Sequence, residues 1–105
     1  MKKLMLSTAL IAFGAGANAE TLNLYNWGNY TSPDLLEKFT AETGIDVVVT
    51  DYDSNTTALA KVAAGGSGFD LVVPSANWGQ AWVQQGLIQP LDHARLSNFG
   101  NIAPE

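Results

Sequence analysis

The sequence predicts an α/β fold: a parallel sheet whose short strands alternate with short helices. Three strand-like runs, Thr21–Asn26, Ile45–Thr50 and Phe69–Val73, recur with helical segments between them. Those segments open on capping residues and close on glycines. Each connection holds one helix, which is what a chain needs to return and lay the next strand parallel to the last. Helices are therefore expected on both faces of the sheet.

Each element has a local cause. Thr21–Asn26 alternates apolar and polar positions, with Leu22 and Leu24 in phase, and reads as the first strand. Ser32-Pro33-Asp34 supplies an N-cap, a proline at the first helical position and an acid in the first turn. The helix it starts is expected to turn Leu35, Leu36, Phe39 and Ala41 inward and Glu37 and Lys38 outward, and to stop at a left-handed Gly44. Ile45–Thr50, with three consecutive valines, is β-branched and reads as the second strand. Ser54 caps a second helix with Leu59, Val62 and Ala63 as its apolar positions, ended by Gly65-Gly66-Ser67-Gly68. Phe69–Val73 is short and, Asp70 apart, apolar, as a strand covered on both faces should be, and Pro74 ends it. Ala76–Gln85 reads as a third helix closing at Gly86, Leu87–Leu91 as extended or irregular, and Asp92–Leu96 as one further helical turn. Ser97–Glu105 shows no period.

Composition narrows the function. The chain has 105 residues, 47% of them hydrophobic and 14% charged, no cysteine, one histidine and a formal charge of −5. Without cysteine there is no disulfide framework, thiolate zinc site or catalytic thiol, and a lone His93 cannot build a histidine metal centre. A nucleic-acid surface needs clustered Lys and Arg to neutralise phosphates, which an acidic chain lacks. A cationic small molecule suits it better. No cofactor, metal or catalytic residue is expected. Residues 1–19 have the pattern of an export signal: Met1-Lys2-Lys3, an apolar run from Leu4 to Ala17, and Ala17-Asn18-Ala19 at the cleavage position. The apolar run is shorter than the roughly 20 residues that span a bilayer. Residues 20–105 would then form the exported part, freely soluble in the periplasm, with Lys38, Lys61 and Arg95 against ten acids.

In open parallel sheets ligands sit beyond the carboxyl ends of the strands. Those ends carry Tyr25-Asn26-Trp27-Gly28-Asn29-Tyr30, Asp51-Tyr52-Asp53-Ser54-Asn55 and Pro74-Ser75-Ala76-Asn77-Trp78. Aromatic faces hold cations, Ser and Asn direct hydrogen bonds, and carboxylates neutralise ammonium groups. Tyr25 and Trp82 read as core, and Ser54 and Asn55 as a helix cap. Trp27 and Tyr30 bracket Gly28 in a loop away from any periodic stripe and read as ligand residues.

The same residues carry a resemblance. Leu24–Tyr30, Phe39 through Glu42-Thr43-Gly44-Ile45, Tyr52-Asp53-Ser54-Asn55 and Phe69–Ser75 resemble the opening lobe of periplasmic spermidine/putrescine-binding proteins, receptors of ATP-binding-cassette importers, from about Leu22 to Pro104. Asn-Trp-x-x-Tyr together with Asp-Leu-Val-Val-Pro-Ser is the specific part. The resemblance implies two α/β lobes that close around an extended diamine or polyamine, with aromatic walls and acidic ends, and a membrane permease as partner. It implies ligand contacts at Trp27, Asn29, Tyr30, Ser75 and Asn77. Two positions depart from the family: an acid is common where this chain has Asn29, and spermidine-type members have an aromatic where it has Asn77. Family members are several times longer, so the chain is expected to be the N-terminal part of a first lobe, with its third strand left as an edge. Two other readings stay open: the same receptor class with an amino acid derivative, betaine-like cation or sugar, and an α/β enzyme whose catalytic residues lie elsewhere.

Remaining signals are weak. Gly65–Gly68 lacks the Lys-Ser/Thr of a phosphate loop and precedes a strand, so it reads as a turn. Asp51 and Asp53 lack the glycine and glutamate of a calcium loop. Asp92-His93 has no nucleophile near it.

Overall fold

A computed structural model describes residues 19–66 and 68–103. The export signal expected at 1–19 lies outside them except for its last residue. The elements run β1 (Thr21–Trp27), α1 (Pro33–Thr43), β2 (Asp46–Tyr52), α2 (Asn55–Ala63), β3 (Leu71–Val72), a 3-10 turn (Ala76–Trp78) continuing into α3 (Gly79–Gln84), and 3-10 turns at His93–Arg95 and Phe99–Asn101. The three strands form one sheet in the order β2-β1-β3, both pairs parallel. The α/β class with a parallel sheet is as the sequence predicts. Among the described residues no helix is long and apolar enough to cross a membrane.

The helix boundaries follow from local chemistry. Pro33 opens α1, and Gly44 closes it with φ at 73°, its N–H reaching the Thr40 carbonyl at 2.8 Å. Ser54 caps α2 by accepting from the Thr57 N–H at 3.1 Å. Gly86, at φ 66°, lets the chain turn after α3. The third helix is shorter than predicted, because Ala76–Trp78 winds as a 3-10 turn. The inward stripe of α1 also differs. Leu36 and Phe39 are half-buried, but Leu35 is 60% exposed and Ala41 is exposed, since both sit off the i, i+3, i+4 row that Leu36 starts.

The strand ends differ in a way that matters for the site. Both β1 and β2 run past their predicted ends, and the register pairs Trp27 with Tyr52 as their last residues. Period-2 alternation then puts Tyr25, Trp27 and Tyr52 on one face, where Tyr25, Tyr52, Ala58 of α2 and Trp82 of α3 form the buried core. Tyr25 stacks on Phe69 at 4.3 Å and meets Tyr52 edge-on at 4.7 Å. The Lys61 ammonium lies 5.4 Å from the Tyr25 ring and 5.5 Å from that of Phe69. The third strand is not covered on both faces: it pairs with β1 alone, and Leu71 and Val73 are 44% and 41% exposed. Beside the ladder, Asp70 ties it to β1: its carboxylate accepts from the Asn23 N–H at 2.7 Å while its own N–H donates to the Asn23 carbonyl.

Candidate functional site

The carboxyl ends of the three strands are tied to one another by side chains. The Trp27 indole N–H donates to the Val73 carbonyl at 3.0 Å, and the Tyr52 hydroxyl donates to the same oxygen. One carbonyl at the end of β3 thus collects a donor from β1 and a donor from β2. Burial pushes the Tyr52 phenol above its ordinary pKa, with the nearby Tyr25 phenol adding to the effect. Tyr52 therefore stays a protonated donor at neutral pH. Tyr25 is shifted the same way, by burial and then by the charge of Asp53.

The first loop is shaped by Asn26 and Asn29. Asn26 is buried, and both ends of its amide are used: Oδ1 accepts from the Trp27 N–H at 2.8 Å and Nδ2 donates to Thr31 Oγ1 at 3.1 Å. Asn29 holds a left-handed backbone, φ 62°, which among non-glycine residues asparagine adopts most readily. The turn projects Tyr30 into solvent at 75% exposure, with its ring 6.4 Å from that of Trp27 and inclined by 41°. Trp27 itself is half-buried and packs against the core, 4.8 Å from the Tyr52 ring. The expectation that it stands away from any periodic stripe is corrected: it ends β1 and packs against the core.

The third loop is held from α2. Asn55 Oδ1 accepts from the Ser75 N–H at 3.0 Å, and Asn55 Nδ2 donates to Ser75 Oγ at 3.0 Å. The Ser75 carbonyl accepts from the Trp78 N–H at 2.8 Å and starts the 3-10 turn that carries Asn77, which is exposed. Trp27 and Tyr30 are thus neighbours, Trp27 is bonded to the strand end two residues before Ser75, and Asn29 and Asn77 stand exposed on their loops. Asn55 was expected to do no more than cap a helix. Ser54 does the capping, and Asn55 reaches across 20 residues of sequence to Ser75. No sequence spacing signals that pair. Tyr52 likewise sits two residues beyond the predicted end of its strand.

Chemically these groups offer aromatic faces, amides and hydroxyls. Among the described residues no group of three or more His, Cys, Asp or Glu could hold a metal ion. A cavity of about 840 Å³ lies elsewhere: it flanks β3 and is lined by Phe69, Leu71, Trp82, Leu87, Leu91 and others.

Comparison with known proteins bears on this surface. Residues 34–104 match the bacterial extracellular solute-binding protein family. A putrescine-binding periplasmic protein of Escherichia coli is 42% identical over 104 residues, covering 96% of this chain and 28% of that protein. A putrescine-binding periplasmic protein of Pseudomonas aeruginosa is 43% identical over 99 residues, covering 94% and 27%. Among solved structures, the spermidine/putrescine ABC transporter substrate-binding protein of Streptococcus pneumoniae superposes with a TM-score of 0.77 at 38% identity, over 81% of this chain and 26% of that one. The chain therefore spans little more than a quarter of the length of these relatives. A family match over most of the chain, joined to a parallel α/β sheet that superposes on one of these receptors, places the protein in the bacterial extracellular solute-binding family.

Proposed function

We propose that this chain supplies first-lobe ligand contacts of a periplasmic receptor that captures a polyamine and delivers it to an ABC importer. Residues 1–19 direct export and are removed; residues 20–105 belong to the α/β lobe. The chain binds and does not catalyse. The observation that carries this reading is the meeting of Trp27 and Tyr30 at the carboxyl edge of the sheet. One ring is anchored and the other exposed, next to the loop that bears Ser75 and Asn77. Aromatic faces attract an alkylammonium by cation–π and apolar contact, and hydroxyl and amide oxygens accept its N–H groups. Asn29 and Asn77 contribute neutral amides, so the attraction from this side rests on ring faces and directed acceptors. The carboxylates that balance a dication would come from other parts of the receptor.

A titration of the 105-residue chain followed by NMR tests the reading. Putrescine at millimolar concentration should shift the Trp27 indole and the Tyr30, Ser75 and Asn77 amide resonances. 1,4-Butanediol, of equal length and without charge, should not. Equal responses to the two would overturn the polyamine reading. The neutral pair Asn29 and Asn77 favours a second reading, the same receptor class with a zwitterionic ligand such as a betaine. A response to betaine exceeding that to putrescine would select it.

A further inference from the structure

We infer that Asn55 is a positioning residue for the ligand site: it locks Ser75 in place and fixes how the Ser75 hydroxyl can be used. The inference rests on the reading of Ser75 as a ligand residue. The Ser75 backbone N–H can only donate, so the Asn55 atom facing it at 3.0 Å is the carbonyl oxygen. The amide nitrogen must then face Ser75 Oγ, also at 3.0 Å, and there the hydroxyl oxygen can only accept. One Ser75 lone pair is consumed. What remains for a ligand is a second lone pair and the hydroxyl proton, both displaced from the Asn55 direction.

The pair also fixes the loop. Val73 is held by Trp27 and Tyr52, and Ser75 by Asn55 through main chain and side chain at once; the Ser75 carbonyl is occupied by Trp78. Asn55 is free to do this because Ser54, one residue earlier, already caps α2. Helix capping and loop positioning are thus divided between adjacent residues. A serine held before the ligand arrives loses less conformational freedom on binding, so affinity should fall when the holding group is removed even though that group never touches the ligand.

The test uses the 105-residue chain with putrescine as probe. Asn55→Ala should weaken binding about threefold to tenfold, the loss expected for one or two neutral hydrogen bonds. In a Ser75→Ala background the same change should cost clearly less than in the parent, because the hydroxyl it orients is gone and only the main-chain bond is left to lose. Ser54→Ala should lower the melting temperature and leave affinity unchanged, which separates helix stability from loop positioning. The unsubstituted chain gives an independent measure: the Asn55 side-chain amide resonances should move on titration in step with those of Ser75. If Trp27, Tyr30 and Ser75 respond to putrescine while the Asn55 amide stays silent and Asn55→Ala binds normally, the positioning role is overturned and the ligand site stands. If none of them responds, the site reading fails and the inference falls with it.

Discussion

Trp27 supports the fold and, in the proposed site, would also face the ligand, and substitutions can separate the two roles. Its ring packs half-buried against Tyr52, and its N–H donates to the Val73 carbonyl. A tryptophan contributes roughly 150–250 Å² when fully buried. Half of that, at about 25 cal/mol per Å², is roughly 2–3 kcal/mol. The hydrogen bond adds about 1 kcal/mol. Trp27→Ala should therefore cost about 3–4 kcal/mol of stability, which in a domain of this size lowers the melting temperature by more than about 10 °C. Trp27→Phe keeps a ring against Tyr52 and leaves the Val73 carbonyl its Tyr52 donor, so its cost should be nearer 1 kcal/mol. Binding follows a different order. Phenylalanine is a weaker cation–π face than tryptophan, so Trp27→Phe should weaken putrescine binding several-fold, out of proportion to its small effect on folding. Thermal melts by circular dichroism and NMR titration of the same samples give the two quantities. A Trp27→Phe chain that binds putrescine as well as the parent, while Trp27→Ala melts early, would make Trp27 a packing residue only and refute its place in the site.

Trp82 is fully buried, and Trp82→Ala should cost about 3–5 kcal/mol and abolish the cooperative melt. Trp82→Phe, which removes a ring N–H without a hydrogen-bond partner among the described residues, should cost much less. The phenols of Tyr25 and Tyr52 are raised above 10.0 in the fold, so the unfolded chain releases their protons first. Their contribution to stability is complete below pH 10 and is lost as the pH rises through the folded values. Melting temperatures should therefore fall steeply in the alkaline range, and Tyr52→Phe should flatten that fall. Intact-mass measurement of the exported protein should give a chain beginning at Glu20; an exported species still carrying residues 1–19 would overturn the signal assignment.

What could be read in the sequence was whatever local chemistry decides. Pro33, Gly44, Ser54 and Gly86 act through their own backbone or a neighbour three residues away, and each stands where it was expected. The family motifs likewise lie in the expected order along strands and loops. The differences arose where a hydrogen-bond or packing partner outside the periodic pattern decides. Leu22, Leu24 and Asn26 share one phase of β1, and the polar Asn26 looks like the point where the strand stops. It is instead a buried residue whose amide is satisfied by Trp27 and Thr31, and the strand continues for one residue more. That residue matters, because it changes Trp27 from a loop side chain into the end of a strand paired with Tyr52.

The same reasoning explains why the site is legible only in part. A motif shows that aromatic and polar residues gather after each strand, but it does not show which of them are already committed to one another. Trp27 gives its N–H to Val73, Tyr52 gives its hydroxyl to the same carbonyl, and Asn55 gives both ends of its amide to Ser75. After those bonds are made, Trp27 retains part of its ring face, and Ser75 one lone pair and one proton. Tyr30, Asn29 and Asn77 remain exposed on their loops. At the proposed site a ligand would therefore meet a surface with fewer free groups than the residue list suggests, held by contacts between residues up to 46 positions apart. Preorganisation of this kind follows from which donors are spent, and on the proposed site it is how Asn55, without touching the ligand, would govern affinity.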